Sequence, residues 1–77
     1  MRIKAKVVKP EEIPISTDFI KLDQLLKFSN IVESGGMAKE LIEAGEVSVN
    51  GEKCLMRGKK LRAGDTVICA GRAVKVV

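Results

Sequence analysis

Ser34-Gly35-Gly36-Met37-Ala38-Lys39-Glu40-Leu41-Ile42-Glu43-Ala44-Gly45-Glu46-Val47-Ser48-Val49-Asn50-Gly51 is the run that decides the fold, because its hydrophobic period changes halfway along. Ala38, Leu41 and Ile42, with Met37 beside them, follow the spacing of one helix face, and Ser34 is placed to cap that helix. Gly45 stops it, as a residue that accepts the left-handed conformation after a last helical turn. From Val47 the period is two, and Asn50-Gly51 is the strongest short-range signal for a hairpin with a type I′ turn, returning through Glu52-Lys53-Cys54. Upstream, Leu22, Leu25 and Leu26, joined by Phe28, predict a first helix over about Lys21 to Ser29. Asn30 to Gly36 interrupts the pattern, so the two short helices are expected to pack as a helix-turn-helix.

Farther out, Arg2 to Val8 alternates basic with apolar residues, as a half-buried strand does, and Pro10 ends it. Pro10 to Thr17 reads as an irregular connection. On the other side, Arg57 to Arg62 forms a basic arc, Ala63-Gly64-Asp65 a turn and Thr66 to Cys69 a strand. Ala70-Gly71-Arg72 gives a last turn and Val74-Lys75-Val76 a final strand. The expected architecture is α+β: two packed helices against a small, mainly antiparallel sheet, with the strand of residues 2 to 8 added to it. One domain is expected over residues 1–77, with an N-terminal strand and connection (1–16), a core (17–69) and a C-terminal strand (70–77).

The chain has 77 residues, 45% apolar and 31% charged, which suits one small globule and leaves no room for separate catalytic and substrate lobes. Its longest apolar run, Val67 to Ala70, is far short of the roughly 20 residues of a membrane span. The alternating start lacks a signal-peptide core, so a cytosolic protein is expected. There is no histidine, which removes the commonest general base and metal ligand. Two cysteines, Cys54 and Cys69, do not complete a four-ligand zinc site, and buried reduced thiols are expected. No catalytic residue, metal site or cofactor is expected.

Net charge is +4, and it is segregated: residues 1–9 carry +4, residues 10–52 carry −6, and residues 53–77 carry +6. The densest part is Lys53, Arg57, Lys59, Lys60 and Arg62, with no acid among them. A one-signed patch of this kind attracts phosphates. A membrane surface fits the charge, but no basic amphipathic helix with large apolar anchors accompanies it. The seven glycines contain no pair three apart, which excludes the KH clamp, and GxGxxG and P-loop signatures are absent. Phe19 and Phe28 are the only aromatic residues, too few for a base-stacking sheet. Recognition of phosphate and shape is thus favoured over base reading. Ser34-Gly35-Gly36 adds exposed helix-start N–H groups as an anion site, with Lys21 and Lys27 on the polar side of the first helix. Glu40, Glu43 and Glu46 repel phosphate and are expected to face away.

Lys21-Leu22-Asp23-Gln24-Leu25-Leu26, the run from Ser34 to Gly51, and Arg62-Ala63-Gly64-Asp65-Thr66-Val67 resemble the alpha-L RNA-binding motif of the S4-like domain. With Phe19-Ile20-Lys21-Leu22 ahead and Arg57-Gly58-Lys59-Lys60-Leu61-Arg62 behind, the chain is similar to the small stand-alone YaaA/YbcJ group. The resemblance implies that RNA lies against the two helices and the following hairpin, with Lys21, Lys27, Ser34, Lys39, Asn50 and Lys53 near phosphates. Arg57, Lys59, Lys60 and Arg62 extend that surface. Many family members carry a long polar residue just after the serine; Gly35 and Gly36 stand there instead, so backbone donors replace a side chain.

The expected function is non-catalytic binding of structured RNA, ribosomal RNA above all, at the ribosome or during its assembly. The alternative is a protein-interaction adaptor docking through a sheet edge or the acidic second helix. Duplex DNA is a weaker candidate because neither helix carries a run of base-reading Arg, Asn and Gln. An enzyme is a distant third.

Overall fold

Two residues with left-handed backbone, Asn50 at φ 52° and Gly51 at φ 87°, turn the chain back on itself between β3 (Val47–Val49) and β4 (Glu52–Lys53). Val49 pairs with Glu52 across them, as the Asn-Gly signal predicts. A second two-residue turn, Ala70 at φ 54° and Gly71 at φ 77°, joins β6 (Thr66–Cys69) to β7 (Arg72–Val76). The computed structural model describes residues 10–77; the strand expected over residues 2 to 8 lies outside them.

Β3 pairs antiparallel with β6, and β6 with β7. The alternation sorts their side chains. Val47, Val49, Val67, Cys69, Val74 and Val76 are buried on one face, while Ile68 is exposed on the other. Helix α1 (Leu22–Phe28) and helix α2 (Gly35–Glu43) complete the core with Leu22, Leu25, Leu26, Ala38 and Ile42, all fully buried. Ser34 caps α2 as expected, its Oγ accepting from Met37 N–H at 3.2 Å. Gly45, at φ +80°, follows the C-cap Ala44.

Three features differ from the expectation. Glu11–Ile13 forms a strand, β1, inside the stretch read as an irregular connection, and it pairs parallel with β7. No alternation signals it. It is held from outside, by Val77 N–H donating to Ile13 O at 3.0 Å and by a bidentate Arg72–Glu11 ion pair with a shortest contact of 2.6 Å. Pro10 and Pro14 flank it, which an edge position tolerates. Second, the basic arc contains β5 (Lys60–Leu61), which pairs antiparallel with β2 (Ile20–Lys21) in a separate two-stranded ribbon. The five-stranded sheet therefore runs β1-β7-β6-β3-β4, and the ribbon stands apart from it. Third, Phe28 is not on the buried face of α1; it is 62% exposed. The stripe of Leu22, Leu25 and Leu26 continues instead onto Ser29, whose buried hydroxyl donates to Leu25 O at 2.8 Å.

Both thiols are free. Cys69 is buried, and burial, with the Glu46 carboxylate nearby, pushes its pKa up; such a thiol is unreactive. Cys54 is half-buried.

The turn at Asn50 is tied to the β5–β6 connection. Its side-chain oxygen accepts from Thr66 N–H at 3.0 Å, and its Nδ2 donates to Asp65 Oδ1 at 3.1 Å. Asp65 Oδ2 accepts in turn from Arg62 N–H at 2.8 Å. The Arg62 N–H holds the Asp65 carboxyl below its ordinary value, helped by the Asn50 amide and the Lys59 and Arg62 charges and opposed by partial burial. Asn50→Ala removes two side-chain hydrogen bonds and a residue suited to positive φ, so a urea titration is expected to show about 2 kcal/mol less stability. Because the folded pKa of Asp65 is depressed, its contribution is present above the ordinary value of 3.8 and is lost as pH falls through the folded value. An acid titration of stability is expected to steepen below that pH, and Asp65→Ala to flatten that part of the curve.

Candidate nucleic-acid interface

The first N–H groups of α1 have no carbonyl one turn back, and Lys21, at the N-cap, supplies no side-chain acceptor. The basic arc supplies them. Leu22 N–H donates to Lys59 O at 2.9 Å, and Asp23 N–H donates to Arg57 O at 3.2 Å. The arc is therefore fastened by its carbonyls, while the side chains of Arg57, Lys59, Lys60 and Arg62 are exposed.

The ribbon then sets a register. Ile20 faces Leu61 and Lys21 faces Lys60. Leu61 is fully buried and Ile20 half-buried, so the alternate positions, Lys21 and Lys60, look outward. Lys60 Nζ lies 4.9 Å from the centroid of the Phe19 ring, and Arg62 Cζ lies 6.0 Å from it. Among the described residues the one ion pair is Arg72–Glu11; Lys21, Lys60 and Arg62 have no carboxylate partner there. Directly opposed like charges are destabilising, so Lys21 and Lys60 face each other at a cost to the fold.

Lys53 and Lys59 border a depression of about 300 Å3 that is also lined by Asn50, Leu55 and Met56. Asn50 is committed to the turn by the bonds described above. The Lys53 side chain lies across the end of α2: a Cβ on Gly45 would come within 3.2 to 3.3 Å of its Cδ, Cε and Nζ. The ammonium there meets the electronegative end of the helix.

The other candidates lie elsewhere. Ser34, Gly35 and Gly36 open α2, at the opposite end from Lys53 and so about 13 Å away along the axis. Among the described residues no protein acceptor takes the Gly35 or Gly36 N–H. Neither glycine has a positive φ. A Cβ would meet nothing within 4 Å at Gly35 and only Ser34 Oγ, at 3.9 Å, at Gly36. The backbone conformation thus does not require glycine at either position. Lys39 is exposed in the second turn of α2, and Lys27 in the last turn of α1. Glu40, Glu43 and Glu46 are also exposed. Two contributors were not visible as site residues in the sequence: Phe19, under Lys60 and Arg62, and Asp65, which fixes the Arg62 backbone. Among the described residues, no group of three or more potential metal ligands occurs, and no helix is long and apolar enough to cross a membrane.

A helix pair packed on a small mixed sheet, with a mainly cationic edge, defines a small α+β module of the alpha-L type. Residues 13–77 match the S4 domain, and the chain belongs to that family. A probable ribosome maturation protein, RlbA, of Bacillus subtilis (strain 168) is 46% identical over 59 residues, covering 77% of this chain and 83% of the relative. YbcJ of Escherichia coli (strain K12) is 41% identical over 58 residues, covering 75% and 83%. The solution structure of E. coli YbcJ, described as revealing an alfaL motif involved in RNA-binding, superposes with a TM-score of 0.69 at 31% identity, over 100% of this chain and 99% of that one.

The ribbon geometry makes a stability prediction. Lys21→Glu converts an opposed like-charge pair into an opposite-charge pair and places an acid at the start of α1. It is expected to raise stability by about 0.5 to 1 kcal/mol in a urea titration. The gain is expected to shrink as salt is added.

Proposed function

We propose that this chain is a non-catalytic binder of folded RNA, and that ribosomal RNA, at the ribosome or during its maturation, is the RNA it meets. The observation that carries this reading is the set of exposed cations on the arc and ribbon, fixed by backbone hydrogen bonds and forming no ion pair among the described residues. The RNA-binding alfaL motif described for YbcJ and the ribosome maturation named for RlbA support it from outside the chain.

In this reading Lys21, Lys53, Arg57, Lys59, Lys60 and Arg62 neutralise phosphates along one edge. The Ser34 to Gly36 helix start offers its two free N–H groups to a further phosphate, with Lys27 and Lys39 on the exposed sides of the helices. Asn50 acts by holding the turn that orients Lys53 and Arg62. Binding draws its free energy mainly from release of counter-ions condensed on the RNA. Specificity comes from the spacing of the cationic groups, which a folded RNA matches and a flexible strand does not.

A second reading, a protein adaptor, draws on the exposed Leu55 and Met56, 58% and 66% accessible beside the depression. Charge separates the two. Equilibrium binding to a folded ribosomal RNA fragment, a single-stranded RNA of equal length and a DNA duplex, each across a salt series, is the test. Tightest binding to the folded RNA is expected, with a log–log salt slope of about −4 if about five phosphates are neutralised. Replacing Lys59, Lys60 and Arg62 together by Glu is expected to abolish it. No binding to any of the three at low salt sinks the RNA reading and favours the adaptor.

A further inference from the structure

The β2–β5 ribbon carries more than a loose share of the positive charge. The pairing Ile20 with Leu61 and Lys21 with Lys60, continued by one residue, puts Phe19 opposite Arg62. The 6.0 Å distance from Arg62 Cζ to the ring agrees with it. Phe19, Lys21, Lys60 and Arg62 then share the outer face of the ribbon, as two directly opposed pairs, because alternate residues of a strand face the same way. Neighbours in this arrangement are separated by about 5 Å across the strands and 7 Å along or diagonal to them. Three cationic side chains thus leave the ribbon from adjacent positions on one face.

The cost of gathering them is visible. Lys21 and Lys60 oppose each other, and two nearby acids are engaged by backbone or amide donors: Asp65 by the Arg62 N–H and the Asn50 amide, and Asp23 by the Gln24 N–H at 2.8 Å. The Phe19 ring is the compensating group. Its negative face lies under both Lys60 and Arg62, and it holds them without neutralising them, which a carboxylate would do. The main chain at Phe19 is held by the Thr17 hydroxyl, which donates to Phe19 O at 2.7 Å.

We infer that the outer face of the β2–β5 ribbon is a discrete phosphodiester clamp, with Lys21, Lys60 and Arg62 as the phosphate contacts and Phe19 as the positioning residue that presents two of them. The clamp rests on the RNA reading for its natural ligand, but its geometry does not. The ring restricts two long side chains before binding, so less ordering remains to be done when the phosphate arrives.

The test pairs two probes on the intact chain. In the first, affinity for the folded ribosomal RNA fragment is measured for wild type, Phe19→Leu, Phe19→Tyr, Lys60→Gln/Arg62→Gln and the triple variant, with thermal unfolding confirming that each folds. Phe19→Leu keeps an apolar side chain but loses the quadrupole. It is expected to weaken binding about fivefold to thirtyfold, the range for two exposed cation–π contacts. Phe19→Tyr is expected to restore wild-type affinity. Added to Lys60→Gln/Arg62→Gln, Phe19→Leu is expected to cost nothing more, since its effect passes through those two cations. Wild-type affinity in Phe19→Leu, or an equal loss in both backgrounds, overturns the positioning role.

In the second, inorganic tripolyphosphate is titrated into labelled protein and followed by NMR. Saturating shifts at Lys21, Lys60 and Arg62, weakened in Phe19→Leu, are expected; their absence overturns the clamp. Tripolyphosphate binding without RNA binding leaves the clamp standing and removes the RNA reading. RNA binding with a silent ribbon does the reverse.

Discussion

The start of α1 is the constraint on which the arrangement of charge depends. Two helical N–H groups must be satisfied, Lys21 offers no capping side chain, and the carbonyls of Arg57 and Lys59 take their place. A basic loop is thereby fastened to the first helix with its side chains outward. That fastening works against the mutual repulsion of the cations, together with the β2–β5 pairing and the Asp65 bond to the Arg62 N–H. The buried Leu61 acts with it, giving the arc one apolar anchor beneath Ile20. Backbone hydrogen bonding and a single leucine thus hold a surface that electrostatics alone disfavours.

The same economy explains the division of labour at the Asn50 turn. A residue expected from the resemblance to lie near phosphate is occupied in holding Thr66 and Asp65. Asp65 in turn takes the Arg62 N–H. An acid sits inside the basic region; it interacts with the Lys59 and Arg62 charges, but its carboxylate oxygens are directed to the Arg62 N–H and the Asn50 amide and form no ion pair with either cation. Membership of the S4 domain family gives the fold its class; these local bonds decide where each cation stands.

What could be read from the sequence was what local rules determine. The Ser34 cap, the stripe of Ala38 and Ile42, the Asn50-Gly51 turn and the Thr66 to Cys69 strand each have their cause within a few neighbouring residues. The parts that were not legible have causes far away in the chain. Glu11-Glu12-Ile13 becomes a strand only because β7 and Arg72 are there to receive it. Lys60-Leu61 becomes one only because Ile20-Lys21, about forty residues earlier, lies alongside. Phe28 followed a plausible spacing but sat one position off the stripe that Ser29 completes. For the candidate site, the charge was plain in the composition; the register that sets Lys21 against Lys60, and the ring of Phe19 beneath Lys60 and Arg62, needed three dimensions.

The ribbon's long sequence separation also bears on the order of folding. The β3–β4 and β6–β7 hairpins close through two-residue turns and form early, whereas β2 and β5 meet only after a loop of about forty residues has been drawn together. During synthesis the β2 segment waits for β5 to emerge, with Phe19 and Lys21 still apart from Lys60 and Arg62. The concentrated positive face thus comes into being late, after the hydrophobic core has supplied the energy to hold it. A nascent or partly unfolded chain carries the same charges but lacks their arrangement.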